Sequence, residues 1–446
     1  MIKLKDRLKV EVSSLSHEGY GVAKTEGLAI FIPGALLNEE VICEITKIEK
    51  NFCNARLVEI IKESKDRVKP ICKIFGICGG CEIMHMTYPA QLAFKKNMAK
   101  ETIRRIGHLD IEIDEIIGME EPLYYRNKIQ VPFGTKKDKV ICGYYMKKSH
   151  DIISFDECFI QPRYDTEIVK FIKNLANEYH VSAYNEENKK GCLRHILIRS
   201  NYKDEVMVVF ITNEEKINMI DEIINKIVNR YPNVISIIQN INKSHSNVIL
   251  GKSHKVLYGE EFLIDKINEL EFKISHYSFF QVNREQTNKL YKRVLDYLKP
   301  TKDDVIIDGY CGVGTISLSI ATKAKTVYGI EVISDAIEDA KVNAKLNNIN
   351  NAEFIVGKVE EEIQNLLEKN ITGIVIDPPR KGVEKVVLDS IMKTNIKRLV
   401  YVSCNVATLA RDLNILNEVF VVKNITLVDM FPQTAGVESV TLLERR

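Results

Sequence analysis

Alternation of apolar and polar positions opens the chain. Leu8-Lys9-Val10-Glu11-Val12 and Val41-Ile42-Cys43-Glu44-Ile45 repeat every second residue, and Gly19, Gly21, Gly27, Pro33 and Gly34 break the runs. That period belongs to half-buried strands bounded by turns, so residues 1–62 are predicted to form a small β-barrel of OB-like shape. The lysine-rich stretch Lys62–Arg67 reads as a linker. From 63 to about 270 the patterns mix. A helix is predicted from about Pro89 to Ile106, with strands at Lys128–Phe133, His195–Arg199, Glu205–Phe210 and Val234–Asn240, which makes 63–270 an α+β domain. Beyond 270 the rhythm becomes regular: helix Glu285–Leu298, strand Val305–Asp308, a glycine-rich turn, helix, strand Thr326–Glu331, helix. Strands at Glu353–Val356, Gly373–Asp377 and Arg398–Ser403 continue it. Residues 271–446 are therefore predicted to build a mostly parallel, Rossmann-like α/β sheet.

Composition narrows the classes. A chain of 446 residues has room for two to four domains, and no apolar run approaches the roughly 18 to 20 residues of a membrane span. Met1–Arg7 leads straight into alternation with no signal-peptide pattern, so the cytoplasm is the expected compartment. The ten cysteines are then read as thiols, metal ligands or catalysts before disulfides. A net charge of +2 is uninformative, but basic residues cluster. Lys95, Lys96, Lys100, Arg104 and Arg105 share helical spacing, Arg126 and Lys128 follow, and Lys136, Lys137, Lys139, Lys147 and Lys148 surround a predicted hairpin. Such groups suit a phosphate backbone, and a solvated face accounts for any one of them as well.

Asp308-Gly309-Tyr310-Cys311-Gly312-Val313-Gly314-Thr315 joins a strand to a helix, the place where glycines let backbone approach a ligand. Ser317 stands where a dinucleotide fingerprint has its third glycine. Glu331 ends the next strand, where a carboxylate can accept both ribose hydroxyls. Asp308 would repel phosphates, which tilts the reading toward S-adenosylmethionine. Further on, Cys404 follows the strand Arg398–Ser403 and precedes a predicted helix, Val406–Leu413. The partial positive charge of that helix end is expected to favour thiolate and make the sulfur nucleophilic.

Asp377-Pro378-Pro379-Arg380-Lys381-Gly382, with Leu399-Val400-Tyr401-Val402-Ser403-Cys404-Asn405-Val406-Ala407-Thr408, closely resembles the signature of RNA uracil-5-methyltransferases. Phe431-Pro432-Gln433-Thr434 and Val437-Glu438-Ser439-Val440 resemble that family's C-terminal signature, and residues 1–62 look like its TRAM domain. Many relatives have Pro in place of Val406 and one or two His residues in place of Ala435-Gly436, departures that touch substrate choice more than chemistry. The resemblance implies that Cys404 is the nucleophile, attacking C6 of an everted uridine so that C5 can take a methyl group. It implies Glu438 as the base that removes the C5 proton, and Gln281, Tyr310, Glu331 and Asp377 as contacts to S-adenosylmethionine. In Ser278-Phe279-Phe280-Gln281 the two rings could stack on the everted base, or simply fill the core.

Cys72, Cys78 and Cys81 lie within ten residues around Gly76, Gly79 and Gly80. Zinc would call for paired C-x-x-C units, whereas an iron–sulfur cubane accepts three close thiolates and a remote fourth. Spacing leaves Cys142, Cys158 and Cys192 open as that fourth ligand; resemblance to cluster-bearing relatives implies Cys158 and a [4Fe-4S] cluster of structural or RNA-positioning role. Together these features imply a monomeric enzyme that methylates 23S ribosomal RNA. Transfer RNA is the alternative target, and an RNA cytosine-5-methyltransferase, an iron–sulfur redox enzyme and a non-catalytic RNA-binding protein are the more distant rivals.

Overall fold

The computed structural model describes residues 2–366 and 369–446; Met1 of the predicted first domain and Leu367 and Glu368 of the predicted third lie outside the described residues. The N-terminal alternation folds into a six-stranded sheet in the order Arg7–Glu11, Glu40–Ile48, Phe52–Lys62, Leu28–Ile32, Gly21–Thr25, Ser14–Leu15. Val10, Ile30, Ile32, Val41, Cys43 and Ile45, the inward positions of the pattern, make its core. The stretch read as a linker is docked rather than free. Arg67 donates to both carboxylate oxygens of buried Glu39, at 2.5 and 2.8 Å, and to the Gly34 carbonyl at 2.7 Å. A carboxylate taken out of water needs that bidentate partner.

The central sheet runs Ser253–Gly259, Val234–Ile241, Val206–Thr212, Leu193–Ser200, Lys128–Lys136, Lys139–Cys142. Leu193–Ser200 and Val206–Thr212 are buried along their whole length because both faces of the sheet are covered there. Ile196, Ile198, Val208, Phe210 and Ile237 pack under the helices Arg163–Glu178 and Ile220–Arg230. Leu197, Met207, Val209, Ile211 and Ile238 pack instead against Leu263, Phe272 and Leu290 of the C-terminal half. The two halves therefore share one hydrophobic core.

The C-terminal sheet has eight strands in the order Ala352–Val356, Thr326–Glu331, Val305–Gly309, Gly373–Ile376, Arg398–Ser403, Glu438–Arg445, Phe420–Val428, Glu115–Ile117. The first five are parallel, and Glu438–Arg445 inserts antiparallel to both neighbours. Strand order reverses between Val305–Gly309 and Gly373–Ile376. The loops leaving their carboxyl ends therefore open a crevice, the usual ligand position in such sheets. The outermost strand, Glu115–Ile117, comes from the stretch assigned to the central domain. Helix Tyr88–Ile106 from the same stretch packs on helix Val406–Leu416 through Ala99, Ile103, Val406 and Ala410. The hairpin Leu263–Ile267/Leu270–Ile274 straddles residue 270. Chain order and spatial grouping thus interleave.

One member of the basic clusters does not face solvent. Lys95 is fully buried, 2.5 Å from Asp429, and donates to the Phe431 carbonyl at 3.0 Å, while Tyr88 donates its hydroxyl proton to Asp429 at 2.9 Å. Lys100 pairs with Glu112, and Arg104 and Arg105 both pair with Glu101. Helical spacing placed Lys95 beside its exposed neighbours, but the helix turns that position toward the 429–433 loop. It ties down the segment that leads to Glu438.

Candidate active site

Gln281, Tyr310, Glu331, Asp377, Cys404 and Glu438 line a single cleft of about 2370 Å³ at the crevice of the C-terminal sheet. Six segments, far apart in the chain, deliver them.

The loop after Val305–Gly309 holds Tyr310 at φ 67° and Gly314 at φ 82°. A bulky side chain in that region is uncommon and marks a position fixed by its surroundings. At Gly314 a Cβ would stand 3.0 Å from the Phe354 ring and 3.1 Å from the Ala340 methyl, so the loop is packed from behind. Ser317 accounts for the missing third glycine: its hydroxyl donates to Asp308 at 2.5 Å. Asp308 is therefore engaged in holding its own loop. Burial pushes it up to about 7, with Asp377 adding repulsion against the Ser317 hydrogen bond. Glu331 accepts from the Gly312 N–H at 3.3 Å and the Ile333 N–H at 3.0 Å. Those bonds aim a carboxylate along the cleft edge.

The Asp377–Gly382 segment lies beside the Cys404 turn and is stitched to it. The Arg380 carbonyl accepts from the Asn405 amide at 3.0 Å and the Thr408 hydroxyl at 3.4 Å. Gly382, at φ 78°, has no room for a side chain, since a Cβ would sit 2.6 Å from the Arg411 guanidinium and 2.8 Å from Thr408. Burial pushes Asp377 up to about 7.

Cys404 and Glu438 meet through strand register. Ser403 pairs with Ser439 across the antiparallel ladder, so the residue after one strand lies beside the first residue of the other. Glu438 is buried, and burial with the neighbouring Asp377 pushes its carboxyl well up, against the pull of Arg380. Cys404 is half-buried and its thiol is pushed up to about 11, first by burial and then by Glu438 and Asp377, with Arg380 pulling it down. This corrects the expectation of a helix-activated thiolate. Asn405, not Cys404, is the cap, its side chain accepting from the Ala407 N–H at 3.0 Å, and burial with Glu438 and Asp377 raises the thiol. Arg380 received no role from the sequence although it stands in the Asp-Pro-Pro-Arg motif; it is the cation that offsets those carboxylates.

The two phenylalanines divide. Phe280 is 4% exposed and packs with Phe272, whereas Phe279 is 75% exposed on the cleft wall beside Gln281. Identity could not separate them; the backbone direction at one residue does.

The four candidate cluster cysteines also converge. Cys72, Cys81 and Cys158 pack around Met84, Met119, Tyr125 and Ile160. Burial pushes the thiols of Cys78 and Cys158 up, Cys158 to about 11, and each also feels Cys72. Cys142 and Cys192 lie in the core between the central sheet and its helices. Among the described residues no group of three or more His, Cys, Asp or Glu side chains is already arranged to hold a metal ion. The segment after the turn reaches the active site, with the Glu82 and Ile83 N–H groups donating to the Gln433 carbonyl at 3.2 and 3.1 Å.

Residues 87–446 match the tRNA (Uracil-5-)-methyltransferase family, and residues 5–58 match the TRAM domain. An uncharacterized RNA methyltransferase of Clostridium acetobutylicum is 45% identical over 451 residues, covering 100% of this chain and 98% of the relative. One from Oceanobacillus iheyensis is 46% identical over 435 residues, covering 96% and 94%. The crystal structure of Pyrococcus abyssi tRNA (uracil-54, C5)-methyltransferase in complex with S-adenosyl-L-homocysteine is 28% identical and superimposes with a TM-score of 0.80, covering 98% of this chain and 99% of that one. The chain belongs to the RNA uracil-5-methyltransferase family, as an S-adenosylmethionine-dependent enzyme with a TRAM domain ahead of its α/β methyltransferase fold.

Proposed function

We propose that this enzyme methylates C5 of uridine in 23S ribosomal RNA by covalent catalysis from Cys404, with Glu438 as the general base. The observation that carries the chemistry is the register of two adjacent antiparallel strands, which sets a nucleophile beside a carboxyl in the cleft that Glu331 and Asp377 also line. Bound S-adenosylmethionine supplies the electrophilic methyl group, and Gln281, Tyr310, Glu331 and Asp377 hold it. Cys404 loses its proton to solvent and adds as a thiolate to C6, the ring electrons form an enolate, and C5 takes the methyl group with S-adenosylhomocysteine as the leaving group. Once C5 carries the methyl group, Glu438 takes the C5 proton, the C5–C6 double bond re-forms and the sulfur leaves. Burial raises the proton affinity of the Glu438 carboxylate, and Arg380 pulls toward the ionised form that the base step requires.

The cleft continues past His17 and Tyr20 of the N-terminal domain and Lys147 near the cysteine turn, a length suited to polymeric RNA. Three units, 1–62, 63–270 and 271–446, are proposed as the functional division, with the middle one presenting RNA. Cys72, Cys78, Cys81 and Cys158 would hold a [4Fe-4S] cluster. The residues fit that group: four free thiols in mutual electrostatic reach, enclosed by apolar side chains. A cubane spreads its ligands over four irons, so thiols too dispersed for one ion still suit it. Its role is positional, since Glu82 and Ile83 pass from the turn to Gln433.

Ribosomal RNA and transfer RNA from a strain lacking the protein, digested and analysed by mass spectrometry, test the target. Loss of a 5-methyluridine from 23S RNA is expected, and loss from transfer RNA alone would transfer the assignment to the second reading, which the Pyrococcus relative favours. Anaerobically purified protein should carry iron and sulfide that Cys81→Ser removes; iron-free wild type would remove the cluster. Cofactor affinity should depend on pH. Asp377 lies near 7 in the free protein, and a cationic ligand favours its ionised form. Affinity should therefore fall by up to about tenfold per pH unit below 7 and level off above it, a dependence that Asp377→Asn flattens in calorimetry. A pH-independent affinity in the wild type would sink Asp377 as a cofactor contact.

A further inference from the structure

Three cations cluster at and behind one wall of the cleft without ion-pair partners among the described residues. Lys128 and Arg199 are cross-strand partners in the central sheet and so share a face. Arg126, two residues before Lys128, lines the cleft itself. Among the described residues none of the three makes an ion pair. Arg199 is 2% exposed, and its Nε has no hydrogen-bond partner. Its other bond goes to the Ser278 carbonyl, one residue from exposed Phe279. Asn127, between the two smaller-numbered cations, donates to the Gln281 carbonyl at 3.0 Å, so this strand runs directly along the Ser278–Gln281 segment.

The surroundings supply no negative charge. Asp265 is the carboxylate that Arg199 feels, and Arg284 already occupies it at 2.9 and 3.2 Å, with the N–H groups of Tyr202 and Lys266. His276 and His254 complete the neighbourhood, with burial and the adjacent cations keeping His276 neutral to about 3. Burial and the two guanidiniums drive Lys128 down to about 7. A buried guanidinium facing two more cations is costly unless an anion joins them.

We propose that Arg126 and Lys128, backed by buried Arg199, form a subsite that grips one phosphodiester of the RNA at the everted nucleotide. The subsite rests on the uridine reading above, because it places that phosphate next to Phe279 and Gln281, where the everted base would enter. A monoanionic phosphodiester bridges Arg126 on the wall and the partly exposed Lys128 ammonium, and buried Arg199 adds its charge from behind them. The subsite fixes register along the strand and reads no base.

The test is the salt dependence of binding of a fluorescein-labelled single-stranded oligouridine to the full-length protein, measured by anisotropy over a potassium chloride series. Lys128→Gln should lower the slope of log K against log salt by about 0.7, the loss of one phosphate contact in a single strand. Lys128→Arg should restore it. Lys128→Met, which keeps the packing of the stem, replaces the glutamine variant if that one melts early by circular dichroism. An unchanged slope in a folded Lys128→Gln or Lys128→Met protein overturns the subsite. Saturable binding of inorganic phosphate alone below the millimolar range, at matched ionic strength, would also overturn it by making the site one for free phosphate. Methylation of cellular RNA, followed in parallel, separates the two levels. An unchanged slope with methylation intact removes the subsite and leaves the uridine reading, whereas a lost slope with no 5-methyluridine in any RNA does the reverse.

Discussion

Cys404→Ala should abolish methyl transfer, by roughly 10⁴-fold or more, the scale on which removing a covalent nucleophile acts. It should also abolish the denaturant-stable complex that wild-type enzyme forms with RNA containing 5-fluorouridine. Fluorine at C5 cannot leave as a proton does, so a chain that has attacked C6 stays attached, and gel mobility reports it directly. A retained adduct in the alanine variant would remove Cys404 from its role. The geometry adds a condition. With its thiol pushed up to about 11 by burial, Glu438 and Asp377, Cys404 is a thiol in the free enzyme. Activation has to arrive with the ligands, as a cationic methyl donor set beside Asp377 offsets the repulsion the carboxylates exert. Adduct formation should therefore be far slower without S-adenosylmethionine than with S-adenosylmethionine or another cationic analogue present.

Glu438→Gln should behave in the opposite way with ordinary RNA: turnover falls by about 10²- to 10⁴-fold while a covalent, methylated adduct accumulates. Glutamine matches glutamate in volume, and the buried site already favours the uncharged carboxyl, so the fold should tolerate the change. Attack itself should not suffer, because the substitution removes a group that, when ionised, pushes the Cys404 thiol up. Mass spectrometry of the trapped complex should find the protein joined to a nucleotide bearing the extra methyl. Unimpaired turnover with no adduct would transfer the base role to another group.

The strand-to-helix rhythm after residue 270 was readable because each strand of a covered parallel sheet carries its own apolar run, and the chemistry sits where those runs stop. Asp308, Glu331, Asp377 and Cys404 all fall at or just after such ends. What one strand buries is written locally, but its partner is not. Nothing in Glu115-Ile116-Ile117 announces that it closes a sheet whose other strands begin nearly two hundred residues later. Nor does the helical spacing of Lys95 reveal that Asp429 waits for it. Electrostatics fails in the same way. The helix after Cys404 is local and was visible, whereas the carboxylates that overrule it approach from 377 and 438 and become its neighbours only in the folded chain.

The salt link between Arg67 and Glu39 reaches beyond local stability. With the preceding segment docked by it, and with Gly19 packed so closely that a Cβ would stand 2.5 Å from the Ile83 side chain, the N-terminal barrel is clamped to the body. His17 and Tyr20 thereby form one wall of the cleft that the carboxyl ends of the C-terminal strands open, and the contacts that hold the two walls together lie outside the cleft itself.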